Sequence, residues 1–228
     1  MQTIYCIPGL GADENVFQNL DLSFAKPVFI KWIEPAPNDT LSTYALRLRK
    51  QFIDEDNPLI LGLSLGGMLA VEIAKTMPSA KAIILSSAKI SSEIPFYWKM
   101  FRYLPVHKFL PQVSIKNTAG IQQYFLSAHS PEIKKYLIAA RTKADVRFCR
   151  WALDAIFNWN NLVAPSNIIH IHGTGDRLLP FRYVKADVSI KNAGHLMIME
   201  NAGEISEQIR RILHLTHSSV VEKAGKYK

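Results

Sequence analysis

The stretch LILGLSLGGMLA, residues 59–70, sets one serine and three glycines in an otherwise apolar run. Glycine inside a helix or strand costs about 0.5–1 kcal/mol relative to alanine. Gly62, Gly66 and Gly67 so close together therefore mark a backbone shape that side chains would obstruct. Gly62-Leu63-Ser64-Leu65-Gly66 is G-x-S-x-G between an apolar, strand-like segment and a helical one. In that setting the chain turns so sharply that the serine is held in a strained conformation, its hydroxyl above the end of a sheet. Bulky residues two before or two after would collide, and Gly67 lets the helix begin close to a neighbouring strand. The start of that helix offers backbone N–H groups and a positive dipole end, both favourable to an oxyanion. The chemistry this suits is nucleophilic attack on a carbonyl.

A serine hydroxyl needs a base, and the base needs an orienting acid. HGTGDRLLP, residues 172–180, places Asp176 in a Gly-rich loop after a strand-like run, and NAGHLMIME, residues 192–200, places His195 after the last one. The order Ser64, Asp176, His195 is the one expected of a serine on such a strand–turn–helix junction. All three fall after strands, where parallel sheets carry their catalytic groups. The alternative role for Asp176 is to cap its loop. Of the seven histidines, His107, His129, His214 and His217 fall in helical or terminal segments and read as surface groups. His170 alternates within a strand and reads as structural, and His172 is placed to shape the loop that follows it. Donors for an oxyanion would be the backbone N–H of Leu65, next after the serine, and that of Leu10 in IPGLGAD, where Gly9 and Gly11 let the backbone approach a ligand.

The elements that must position these groups alternate. TIYCIPGL (3–10), KPVFIKWIEP (26–35), NPLILGLS (57–64), KAIILSS (81–87), SNIIHIHG (166–173) and ADVSIKN (186–192) read as strands. ADENVFQNL, with Asp13 as N-cap, TLSTYALRLRKQF, LGGMLAVEIAKTM and EISEQIRRILHLT read as helices. The tail after Thr216 is polar and is expected to fray. Alternation of this kind predicts βαβ units and a parallel sheet. Over 91–160 it stops, and FYWKMFRYL, AGIQQYFLSAH, PEIKKYLIAARTKADV and RFCRWALDAIFNW read as amphipathic helices rich in aromatics. The organisation is an α/β core, 1–90 and 161–228, interrupted by a helical insertion.

At 228 residues the chain suits one domain. Its 48% hydrophobic and 20% charged content is that of a globular protein with a full core. Cys6 and Cys149 cannot form a disulfide framework, and neither has a metal-type CxxC partner. No basic stretch followed by an apolar core opens the chain and no run of about 18 apolar residues follows, so neither secretion nor a membrane span is expected and the cytoplasm is the default location. The net charge of +8 is concentrated in 91–160, which carries ten Lys/Arg against four Asp/Glu. This is either a solvated helical surface or a field for anionic substrates or an acidic partner. No nucleic-acid-binding motif accompanies it.

Taken together, PGLGAD, GLSLGG, HGTGD and AGH resemble the α/β-hydrolase superfamily over about 1–90 and 161–216. The resemblance implies a three-layer α/β fold, its mostly parallel sheet flanked by helices on both faces, with a helical cap inserted at 91–160. It also implies hydrolysis through an acyl-enzyme without cofactor or metal. Pro8 stands where the family usually has a histidine, and the short interval from Asp176 to His195 leaves little room for the customary helix between them. The expected activity is cleavage of a carboxylic ester or thioester of a small acyl substrate, anionic or amphipathic if the basic cap takes part. Phe96, Trp98 and Phe101 either line its acyl pocket or pack the cap onto the core. Two rival readings are a C–C hydrolase or lyase using the same triad, and a ligand-binding protein without turnover.

Overall fold

The computed structural model describes residues 1–52, 56–104, 119–127 and 130–225; His107 and His129 lie outside the described residues. Six strands, β1 (Thr3–Ile7), β2 (Lys26–Phe29), β3 (Leu59–Leu63), β4 (Lys81–Leu85), β5 (Ile168–Gly173) and β6 (Val188–Ile190), form one sheet in the order β2-β1-β3-β4-β5-β6. Every neighbouring pair is parallel. The helices are α1 (Leu41–Leu48), α2 (Leu65–Thr76), α3 (Phe96–Lys99), α4 (Ala119–Phe125), α5 (Pro131–Lys143), α6 (Val146–Phe157), α7 (Met197–Glu200) and α8 (Ala202–Gly225).

The two-residue period of a strand sends alternate side chains to opposite faces, and both faces are buried. Tyr5, Ile7, Ile60 and Ile84 join one cluster with Leu41, Tyr44 and Leu48 of α1 and the apolar side of α2. Ile4, Cys6, Leu61, Leu63, Ile83 and Leu85 join the other with Ile205, Ile209 and Leu213 of α8. The result is the three-layer arrangement the near-continuous apolar strands predict. β1 and β3 are neighbours, and the connection after β1 runs to β2 on one side while that after β3 runs to β4 on the other. A crevice opens at that reversal, beyond the carboxyl ends of β1 and β3.

Between β4 and β5 the described residues are helical. Ser130 caps α5 ahead of Pro131, and Asp145 caps α6 by accepting from the N–H groups of Arg147 and Phe148. Such caps are each worth about 1 kcal/mol. The last of these helices is tied into the core: Phe148, Ala152 and Ala155 belong to the α1–α2 cluster, and the Trp151 indole donates to the Asp39 carbonyl at 2.9 Å.

Three elements differ from their sequence reading. β2 stops at Phe29 rather than running to Pro35; Ile30 makes a last bond to Cys6, and the chain then lifts away so that Trp32 packs on Phe148 with ring centres 5.0 Å apart. The segment after Asp13 is a single 3-10 turn, Glu14–Phe17, although Asp13 does cap it. The closing helix continues to Gly225, through the tail expected to fray. Both cysteines are buried free thiols, and burial pushes the Cys6 thiol up to about 12.

Candidate active site

Ser64 is the residue between β3 and α2, and its φ of 52° and ψ of −115° are strained for a side-chain-bearing residue. Such a conformation costs of order 1–3 kcal/mol and persists only where the surroundings impose it. Here Ser64 N–H donates to Leu85 at 2.9 Å, and the Ser87 hydroxyl donates to the Ser64 carbonyl at 2.7 Å. The flanking glycines follow from contact. A Cβ at Gly62 would stand 2.5 Å from the Gly66 carbonyl oxygen, and one at Gly66 would run into the carbonyl oxygens of Ile7 and Pro8. No side chain fits where α2 begins against the end of β1.

His195 and Asp176 arrive from the loops after β6 and β5. His195 Nε2 is 3.1 Å from Ser64 Oγ, and His195 Nδ1 is 2.7 Å from Asp176 Oδ2. The carboxylate accepts only, so Nδ1 carries the proton, and Nε2 is left to accept from the serine hydroxyl. The other carboxylate oxygen of Asp176, Oδ1, accepts from the backbone N–H groups of Leu178 and Leu179 at 2.8 and 2.9 Å. Asp176 and His195 are buried, while Ser64 is partly open. The structure thus brings together three residues that lie 19 and 131 positions apart in the chain.

Gly9 packs against the serine, its position lying 3.4 Å from Ser64 Cβ for an added Cβ. Gly9 through Ala12 form a turn closed by a 3.0 Å bond from Ala12 N–H to the Gly9 carbonyl, with Gly11 at φ 72° as its third residue. Leu10 follows the glycine that touches Ser64, and its side chain packs against the cluster that holds Leu65. Leu65 opens α2, so its N–H is among those an α-helix leaves without an intrahelical partner.

The aromatics after β4 separate by environment. Phe96 is 68% exposed. Trp98 stacks on Phe157 at 6.1 Å and also meets Phe101 and Phe125. None of Phe96, Trp98 and Phe101 lines the cavity of about 270 Å³ that opens beside the Gly9–Ala12 turn. Gly11, Trp32, Ile33, Phe148 and Cys149 line it together with the charged Asp13, Glu34, Lys143 and Asp145. Trp32 and Phe148 escaped the sequence reading because their shared cavity depends on β2 ending early. One segment, 119–127, reaches the loops that carry Asp176 and His195. The Arg177 guanidinium lies 4.5 Å over the Tyr124 ring, and Ser127 occupies the space a side chain at Gly194 would need.

The residues just described sit within the span 4–208 that matches the model of the alpha/beta hydrolase family. The chain belongs to this family. Among solved structures it is similar to a thermophilic esterase from Thermogutta terrifontis, with TM-score 0.75 and 17% identity over 95% of this chain and 91% of that one. It is similar also to an esterase from Exiguobacterium antarcticum, with TM-score 0.68 and 15% identity over 94% and 92% of the two chains. A bromoperoxidase from Bacillus anthracis has the same fold, with TM-score 0.63 and 13% identity over 93% and 92%. None of the curated proteins matches the chain in sequence. Likeness at such identities establishes the alpha/beta hydrolase fold, and the chemistry must be argued from the site. Among the described residues no helix is long and apolar enough to cross a membrane.

Proposed function

We propose that the chain is a serine hydrolase that cleaves a carboxylic ester or thioester through an acyl-enzyme. The observation that carries this reading is the single direction of the hydrogen bonds, from Ser64 Oγ to His195 Nε2 and from His195 Nδ1 to Asp176 Oδ2. His195 takes the Ser64 proton as Oγ attacks the acyl carbonyl, and Asp176 stabilises the imidazolium that forms. The Leu10 and Leu65 N–H groups receive the developing oxyanion, each worth about 3–4 kcal/mol in acyl transfer. His195 then gives its proton to the leaving alkoxide or thiolate. Water, deprotonated by the same imidazole, attacks the acyl carbon and releases the acid and Ser64.

We assign the acyl group to the cavity lined by Trp32, Ile33 and Phe148, whose wall shares the turn that begins at Gly9. Its volume of about 270 Å³ matches a compact acyl chain rather than a long lipid tail. Three carboxylates and one lysine lining it favour a neutral ester there over the anionic substrate that the basic segment suggests. In this reading 91–160 acts as the cap, with α5 and α6 forming one wall of the acyl site and Trp98 and Phe101 serving to pack it against Phe157.

A fluorophosphonate probe tests the assignment. It should label the wild type, leave Ser64→Ala unlabelled, and be competed by short neutral esters that the wild type turns over. Labelling that survives in Ser64→Ala, or none in the wild type, overturns it. Labelling of Ser64 without turnover of any ester or thioester would point to C–C cleavage by the same groups. Activity on acyl-carrier thioesters far above that on neutral esters would refute the neutral-substrate assignment alone.

A further inference from the structure

Behind Asp176 stand two imidazoles that the mechanism above does not use. His170 and His172 lie two residues apart on β5, so they point to the same face, and both are fully buried. His172 Nε2 is 2.8 Å from the Leu179 carbonyl oxygen and 3.4 Å from Asp176 Oδ2. Both are acceptors, so Nε2 must carry a proton. His172 Nδ1 is 3.0 Å from His170 Nε2. Burial, the chief influence on each ring, disfavours the charged form of both. A neutral His172 protonated at Nε2 has a bare Nδ1, so His170 must donate to it from Nε2. That leaves His170 Nδ1 as a lone pair, and this atom is buried without a partner among the described residues. Every proton in the set is thereby placed. Besides the two rings, the titratable groups nearby are Asp176, His195 and the Lys89–Asp187 pair at 3.3 Å, with the His170 N–H donating to Asp187 at 2.8 Å.

We propose that His172 is a positioning residue for Asp176 and that His170 locks its tautomer, an inference that rests on the triad reading above. His172 acts in two ways. It holds the Leu179 carbonyl, while the N–H of the same residue donates to Asp176 Oδ1, so Leu179 is tied to β5 through its carbonyl and to the carboxylate through its N–H. It also presents a second N–H to Oδ2, the oxygen that orients His195. The opposite tautomer would aim a lone pair at two oxygens and release both. His170 prevents this by occupying Nδ1 with a donor. Two neutral imidazoles on one strand thus serve a carboxylate on the following loop and, through it, the base.

Long-range ¹H–¹⁵N correlation on the wild-type protein at neutral pH reads the tautomers without any substrate. Both His170 and His172 should be neutral with the proton on Nε2; a proton on Nδ1 of His172, or a charged ring, overturns the proposal. The second measurement is the rate of Ser64 labelling by a fluorophosphonate, with kcat and KM for a neutral ester. His172→Phe should slow labelling and kcat by about 10–100-fold with KM little changed, the scale of a catalytic group misplaced by about 1 Å. His172→Gln can return an N–H to the Nε2 position and should recover most of that loss. His170→Phe should fall between wild type and His172→Phe, with the His172 proton redistributed toward Nδ1. Folded His172→Phe labelled at the wild-type rate, or no recovery in His172→Gln, refutes the role. Should the wild type itself fail to label, the hydrolase reading falls while the tautomer result still decides the imidazole pair.

Discussion

Replacing Asp176 by asparagine should disable the site through a proton, with almost no change of shape. Oδ1 receives two backbone N–H groups, from Leu178 and Leu179 at 2.8 and 2.9 Å, so an amide must put its oxygen there. Its NH2 is then forced into the place of Oδ2, 2.7 Å from His195 Nδ1. A donor at that point stabilises the imidazole with a bare Nδ1 and a proton on Nε2. Nε2 faces the Ser64 hydroxyl at 3.1 Å, so it can no longer take the serine proton. The equivalent exchange in a Ser-His-Asp protease costs about 10⁴ in kcat, or about 5.4 kcal/mol of barrier at about 1.36 kcal/mol per decade. The new NH2 also meets the His172 N–H at 3.4 Å, two buried donors with no acceptor between them, for a stability loss of about 1–3 kcal/mol. Ester kinetics, fluorophosphonate labelling and urea unfolding read the three consequences separately. A folded Asp176→Asn within about tenfold of wild type in kcat/KM, where about 10⁴ is expected, would show that the acid does not set the tautomer of His195 and would sink the reasoning.

Other perturbations give equally definite results. Gly66→Ala should lower stability by about 1–3 kcal/mol in urea unfolding, because its methyl meets two backbone carbonyls with nowhere to move; a neutral effect would mean the start of α2 can slide away from β1. Glu72→Leu should cost about 1–3 kcal/mol, since the Trp159 indole N–H, 2.7 Å from the buried carboxylate, loses its acceptor; an unchanged urea midpoint would contradict this. His170 and His172 are held below their ordinary pKa by burial, so the unfolded chain binds protons there that the folded chain refuses. Stability should therefore be intact above about pH 6.5 and fall below it, by at most about 1.4 kcal/mol per pH unit for each ring. Unfolding at about pH 5 and pH 7 in the wild type and in His170→Phe should show the shallower slope in the variant, and equal slopes would refute it.

The site was more legible than its surroundings. The elbow announces itself because close backbone approach excludes side chains, and glycine is the residue that meets that demand. Gly62 and Gly66 are therefore visible in one dimension although the carbonyls they avoid belong partly to β1. The strands are legible for a related reason: a parallel sheet covered on both faces needs apolar residues throughout, which LILGL and KAIIL supply. The end of β2 is not legible, because Trp32 leaves the sheet for a surface that exists only once α6 has docked. Periodicity has no access to a partner more than a hundred residues away.

The buried histidines show where sequence reading stops and why. Their spacing of two already places His170 and His172 on one face of a strand, and a lone strand histidine is reasonably taken as structural. What changes that reading is the turn after β5, which folds the Leu179 carbonyl back over His172. The sequence places His172 to shape that loop, but which carbonyl it holds is written in backbone conformation rather than in residue types. The same holds for the acid itself. The interval from Asp176 to His195 is too short for a regular connecting helix, yet it suffices, because one 3-10 turn, Phe181–Tyr183, and the three residues of β6 span it. The polar chain from Ser64 to His170 is in this sense a product of compactness: shortening the connection after Asp176 brings the loop against β5, where a histidine can hold it.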